Sequence, residues 1–82
     1  MFAAEIRVHV ANRVGVLAQV AAQIAANESN IEHVNVADEG DDTSILTFEI
    51  AVRDRPHLGR VMRAIKGMAD VLEVERSMNG DQ

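Results

Sequence analysis
The apolar side chains of this 82-residue chain recur first at every second residue and then at every third or fourth, in a repeating succession. No other feature restricts its fold as much. From Glu5 to Ala11 the alternation is strict, with Ile6, Val8 and Val10 on one face and Glu5, Arg7 and His9 on the other. That is a strand with one buried face. Asn12 to Gly15 interrupts it, and Leu17, Val20, Ala21 and Ile24 then follow at the i, i+3, i+4, i+7 spacing of an amphipathic helix. After a polar stop at residues 27–30, residues 31–37 read as a second strand, and residues 38–42, centred on Gly40, as a hairpin turn. Residues 44–53 read as a third strand whose apolar face carries Leu46, Phe48, Ile50 and Val52.

The second half repeats the scheme. Asp54 is a good helix N-cap, and Pro56 falls in the first turn, where its missing N–H is not needed. Leu58, Val61, Met62 and Ile65 form the apolar stripe, and Gly67 ends the helix. Residues 71–76 complete the pattern as a strand, with Leu72 and Val74 expected inward and Glu73 and Glu75 outward. The order β-α-β-β-α-β predicts an α+β, ferredoxin-like fold: a four-stranded antiparallel sheet with both helices on one face. One such domain accounts for residues 1–82, with a folded part of roughly residues 4–77. In the second strand Val34 and Val36 have the opposite parity to Ile31, so a bulge or a late start is expected there.

Composition excludes several functions. Without cysteine there is no disulfide, no thiolate metal site and no cysteine nucleophile, and a reducing cytoplasm is the expected setting. The start of the chain lacks the basic and long apolar segments of a signal peptide, and no stretch is long enough to span a bilayer, so no membrane association is expected. The net charge of −5 disfavours general binding to nucleic acid. It is unevenly spread: five basic residues and one acid between Arg53 and Lys66 give a local +4, against −9 over the remainder. Arg7, His9, Thr47 and Glu49 face outward from the sheet without an aromatic among them, which argues against RNA recognition by base stacking. His9, His33 and His57 fall on different elements with no short ligand spacing, so neither a metal nor a cofactor is expected. No serine has a histidine and an acid arranged around it, and the acids of residues 38–42 are explained by solvation. A small acylphosphatase-like enzyme remains an alternative, since Arg13 lies in the first loop, but that loop lacks the glycines that would wrap an anion.

The first loop, Asn12-Arg13-Val14-Gly15-Val16-Leu17, precedes a helix whose free N–H groups can receive a carboxylate. Together with Ser29-Asn30-Ile31 one helix later, it resembles the paired loop motifs of ACT domains, the regulatory modules of amino-acid and nucleotide enzymes. Val14 stands where such domains usually carry proline, and Ser29 where many carry glycine. The resemblance runs from Glu5 to Arg76. Through Val52-Arg53-Asp54-Arg55-Pro56-His57-Leu58 and Asp70-Val71-Leu72-Glu73-Val74-Glu75-Arg76 it is closest to the C-terminal ACT domain of RelA/SpoT proteins, the (p)ppGpp synthetases and hydrolases also called GTP pyrophosphokinases.

The resemblance implies a regulatory domain excised from the C-terminus of a larger protein, non-catalytic in itself, that relays amino-acid or ribosome status in the stringent response. It also implies a homodimer, contacts with other domains of the parent protein, and a site for a branched-chain or other amino acid against Asn12, Gly15, Val16, Asn30 and Ile31. An amino-acid-binding ACT domain of another metabolic enzyme is the nearest alternative. The first helix carries no charge on its outer face, so Ala22 and Ala26, or the open edge of the second strand, are candidate contacts with another copy or another domain. Arg53, Arg55, Arg60, Arg63 and Lys66 make a basic edge, and the resemblance suggests ribosome or tRNA contact there.

Overall fold
The computed structural model describes residues 2–11, 15–40 and 42–77. Six elements follow in order: β1 (Phe2–Ala11), α1 (Val16–Ala26), β2 (Asn30–Asp38), β3 (Thr43–Val52), α2 (Arg55–Lys66) and β4 (Val71–Ser77). The strands form one antiparallel sheet in the order β2-β3-β1-β4. Both helices pack on one face, α1 towards β2 and α2 towards β3 and β4. The fold is ferredoxin-like, as the alternation of periods predicts.

Alternation decides the core. Ile6, Val8 and Val10 of β1 and Leu46, Phe48, Ile50 and Val52 of β3 are buried beneath Val16, Val20 and Ile24 of α1 and Leu58, Val61 and Ile65 of α2. Both phenylalanines belong to this helix-covered side, for Phe48 is 1% exposed and Phe2 lies opposite the buried Val52. The open face therefore carries no aromatic among the described residues.

Two expected inward positions differ. In α1 the buried row is Val16, Val20 and Ile24, stepping by four along the helix, while Leu17 sits on its flank at 39% exposure. In β4 the register with β1 slips beside His9, so that Val10 faces Val71 and His9 faces Glu73. Leu72 is the extra residue and is left 62% exposed. Val71 and Val74 pack against the core. The expected bulge in β2 is present: the register shifts between Ile31 and His33, which turns Ile31, Val34 and Val36 to the same side, opposite Ile50, Phe48 and Leu46.

The β2–β3 hairpin closes with Gly40 at φ 83°, a conformation that disfavours any side chain. The Glu39 N–H donates to the Thr43 carbonyl at 2.8 Å, and the Thr43 hydroxyl to the Glu39 carbonyl. Among the described residues no helix is long and apolar enough to cross a membrane.

Candidate functional site
The two halves of the loop motif leave the sheet at opposite ends. Asn30 is level with Ala51, which is level with Ala3, whereas Gly15 follows Ala11, the last residue of β1. Ala3 to Ala11 is eight strand steps, or about 27 Å. One copy of the chain thus does not bring Gly15 and Asn30 to a common small ligand. Asn12 lies outside the described residues, as do Arg13 and Val14.

Each described position has its own surroundings. Gly15 is the N-cap residue of α1 at φ 92°, exposed and with no side-chain cap, so the first N–H groups of the helix are left to other acceptors. The Val16 side chain is buried in the core at 3% exposure and offers a ligand only its backbone. Asn30 is exposed, and its Nδ2 donates to Glu32 Oε2 at 3.1 Å. Ile31 is half-buried against the core. Ser29 precedes them, 7% exposed, its hydroxyl donating to the Ala51 carbonyl at 2.8 Å and pinning the start of β2 to β3.

Between those two ends runs an unpaired edge. β2 borders only β3, and its helix-side residues Val34 and Val36 are 42% and 49% exposed. Leu17 opens α1 at the same end of the sheet as Val36. Ala22 and Ala26 of α1 are exposed as well. Sequence reading singled out the alanines and the edge but not Val34, Val36 and Leu17. The signal was present in β-branched residues on a strand with only one neighbour.

At the far end a network fixes the two helices to each other. His57, 2% exposed, accepts the Arg53 N–H on Nδ1 at 3.0 Å, so its proton is on Nε2 and is donated to the Asn27 carbonyl at 2.7 Å. Asp54 Oδ1 accepts the His57 N–H at 2.9 Å and caps α2. The run Arg53-Asp54-Arg55-Pro56-His57 is thus a folded turn whose side chains satisfy its own backbone. Arg53 also reaches Glu28 Oε1 at 3.3 Å, in an exposed ion pair of small energetic weight. Arg55, Arg60, Arg63 and Lys66 are exposed along α2, and Arg63 and Lys66 lie in its last turn, where the helix dipole favours cations.

A four-stranded antiparallel sheet in the order β2-β3-β1-β4 under two helices, with a glycine before α1 and an asparagine opening β2, is the architecture of a class of small regulatory modules, which share it with some enzymes. The family model of the ACT domain matches residues 1–76, and the chain belongs to that family. It is 36% identical over 78 residues, 95% of its length, to the bifunctional (p)ppGpp synthase/hydrolase SpoT of Escherichia coli K12, of which the match covers 11%. It is 35% identical over 71 residues, 87% of its length, to the GTP pyrophosphokinase of Myxococcus xanthus, of which the match covers 9%. The chain therefore spans about a tenth of the length of these relatives. The ACT domain from the GTP pyrophosphokinase of Chlorobium tepidum superposes with a TM-score of 0.80 at 24% identity, covering 93% of this chain and 97% of that one. The small subunit of acetolactate synthase from Thermotoga maritima gives 0.81 at 19% identity, covering 93% and 47%. At these identities the two structures speak for the fold.

Proposed function
We propose that the chain is the regulatory ACT domain of a cytoplasmic (p)ppGpp synthetase/hydrolase, working as a homodimer that holds an amino acid between its two copies. The observation that carries this reading is the unpaired β2 edge, with exposed Val34 and Val36, running between Gly15 at one end of the domain and Asn30 at the other. Two copies joined antiparallel along β2 exchange these ends. Gly15 of one copy then meets the Asn30 of the other, and the backbone N–H groups at the start of α1 face a carboxylate beside an amide side chain. The same pairing covers Val34, Val36 and Leu17.

Sedimentation over a range of concentrations, with an isotope-labelled NMR titration of each proteinogenic amino acid on the same samples, tests the reading. The expected result is a concentration-dependent dimer that Val36→Lys abolishes, and saturable shifts confined to Gly15–Leu17 and Asn30–Ile31. A monomer at all concentrations, with no shifts from any amino acid, overturns it.

The exposed cations of α2 favour a second role in the parent protein. Arg60 and Arg63 lie one turn apart on the solvent side of α2, with Lys66 following, and this is the edge of an otherwise acidic domain that an anionic partner such as ribosomal RNA would meet. Ribosome association of the full-length protein falls when Arg60 and Arg63 are both made glutamate. Unchanged association refutes this role.

A further inference from the structure
The bulge beside His9 has a chemical result on the open face of the sheet. It sets His9 of β1 directly opposite Glu73 of β4, while Glu75, level with Arg7, projects from the same face. One ligand atom from each of His9, Glu73 and Glu75 lies within 4.8 Å of the other two. His9 Nε2 is buried and has no hydrogen-bond partner, at 3.7 Å from Glu75 Oε2 and beyond bonding reach of it. A ring nitrogen in that state carries a desolvation cost that the Glu75 carboxylate, too far for a hydrogen bond, offsets only in part. The carboxylate of Glu75 is divided between two neighbours: Oε1 faces Arg7 at 3.9 Å and Oε2 faces His9.

We propose that His9, Glu73 and Glu75 bind one divalent transition-metal ion, with Zn2+ as the best match. A tetrahedral zinc ion with bonds of about 2.1 Å separates its ligands by about 3.4 Å, so the three side chains close on it with small rotations about their own bonds. An imidazole nitrogen with two carboxylate oxygens is a donor set for zinc rather than for magnesium or calcium, which take oxygen. The ion gives His9 Nε2 its missing partner and neutralises two carboxylates. Arg7 stays on the outer oxygen of Glu75 and orients it, as an outer-shell partner does. The site leaves at least one coordination position open to the solvent side. It draws nothing from the β2 edge or the Gly15 loop, and it fastens β4 to β1.

Calorimetric titration of the 82-residue chain with ZnCl2 in a non-chelating buffer, paired with thermal melts with and without zinc, tests the proposal. One zinc per chain is expected, weakened at least tenfold by His9→Gln and by Glu73→Gln and unaffected by His33→Gln. Glu73 is exposed, so its variant folds even where a change at His9 loosens the sheet. At about ten times Kd the folded-to-unfolded ratio rises about 11-fold, which is about 1.4 kcal/mol and raises Tm by about 6–11 °C for a domain of this size. Excess Mg2+ does not displace the zinc. Absence of saturable binding overturns the proposal, as does zinc that binds equally to the His9→Gln and Glu73→Gln variants, is lost with His33→Gln, or yields to Mg2+.

Discussion

Replacing His57 by leucine tests how the two helices are held together. The imidazole is 2% exposed and uses both nitrogens, taking the Arg53 N–H at 3.0 Å and giving its own proton to the Asn27 carbonyl at 2.7 Å. Leucine fills similar space but removes both bonds and leaves a backbone donor and a backbone acceptor without partners. Each lost bond is worth about 1 kcal/mol net, and an unsatisfied buried group costs about 1–3 kcal/mol. With two such groups, His57→Leu is therefore expected to destabilise by about 2–6 kcal/mol, out of about 4–12 kcal/mol for a chain of this length. Glutamine places an amide N–H where Nε2 lies and keeps the bond to Asn27, so His57→Gln costs about half as much. Urea titration followed by circular dichroism reads the difference, with the slope unchanged because the same surface is exposed on unfolding. Amide exchange supplies a local check: the Arg53 N–H loses protection in both variants before the strands do. A His57→Leu midpoint within about 0.5 kcal/mol of the parent, or Arg53 protection retained, refutes the reasoning.

Gly15→Ala is expected to cost about 1–2 kcal/mol, because φ 92° is unfavourable for a side chain even though an added Cβ would meet no atom within 4 Å. Thermal melts beside Gly15→Asn, which tolerates that conformation better and loses less, check this. Asp54→Ala removes the N-cap of α2 and lowers stability by about 1 kcal/mol, seen in urea. Leu72→Gln leaves stability within about 0.5 kcal/mol, since the side chain is already in water, whereas Ile65→Ala, at 0% exposure, costs about 2–5 kcal/mol. A costly Leu72→Gln would return Leu72 to the core.

What was legible in the sequence was whatever a single element decides by itself. Glu5–Ala11 alternates without a fault, Asp54 and Pro56 announce the start of α2, and the parity clash between Ile31 and Val34 announces the bulge at its true place. Leu72 was misplaced because its parity is set not by β4 but by a slip against β1, a contact between distant parts of the chain. Leu17 was misplaced because Val16 and Leu17 are both apolar, and only packing on the sheet chooses which row turns inward. The candidate site divides along the same line. Gly15 and Asn30 are marked by local motifs, but their separation to opposite ends follows from the register of three strands. The approach of His9 to Glu73 and Glu75 depends on a different register, that of β4 with its slip against β1, and no spacing rule reports it.

The pairing of β1 with β4 also fixes how the domain bears load. Glu5 near the start of β1 is level with Ser77 at the end of β4, so the start of β1 and the end of β4 lie side by side at one end of the sheet. A pull applied through both ends peels β4 from β1 one hydrogen bond at a time, like a zipper, instead of shearing all the bonds at once. Resistance to such a pull is low, and the first rungs to open run from Ser77 towards Glu73. Tension carried through these two strands would open the domain from that end, leaving the start of α1, beyond the other end of β1, the last part to feel the strain.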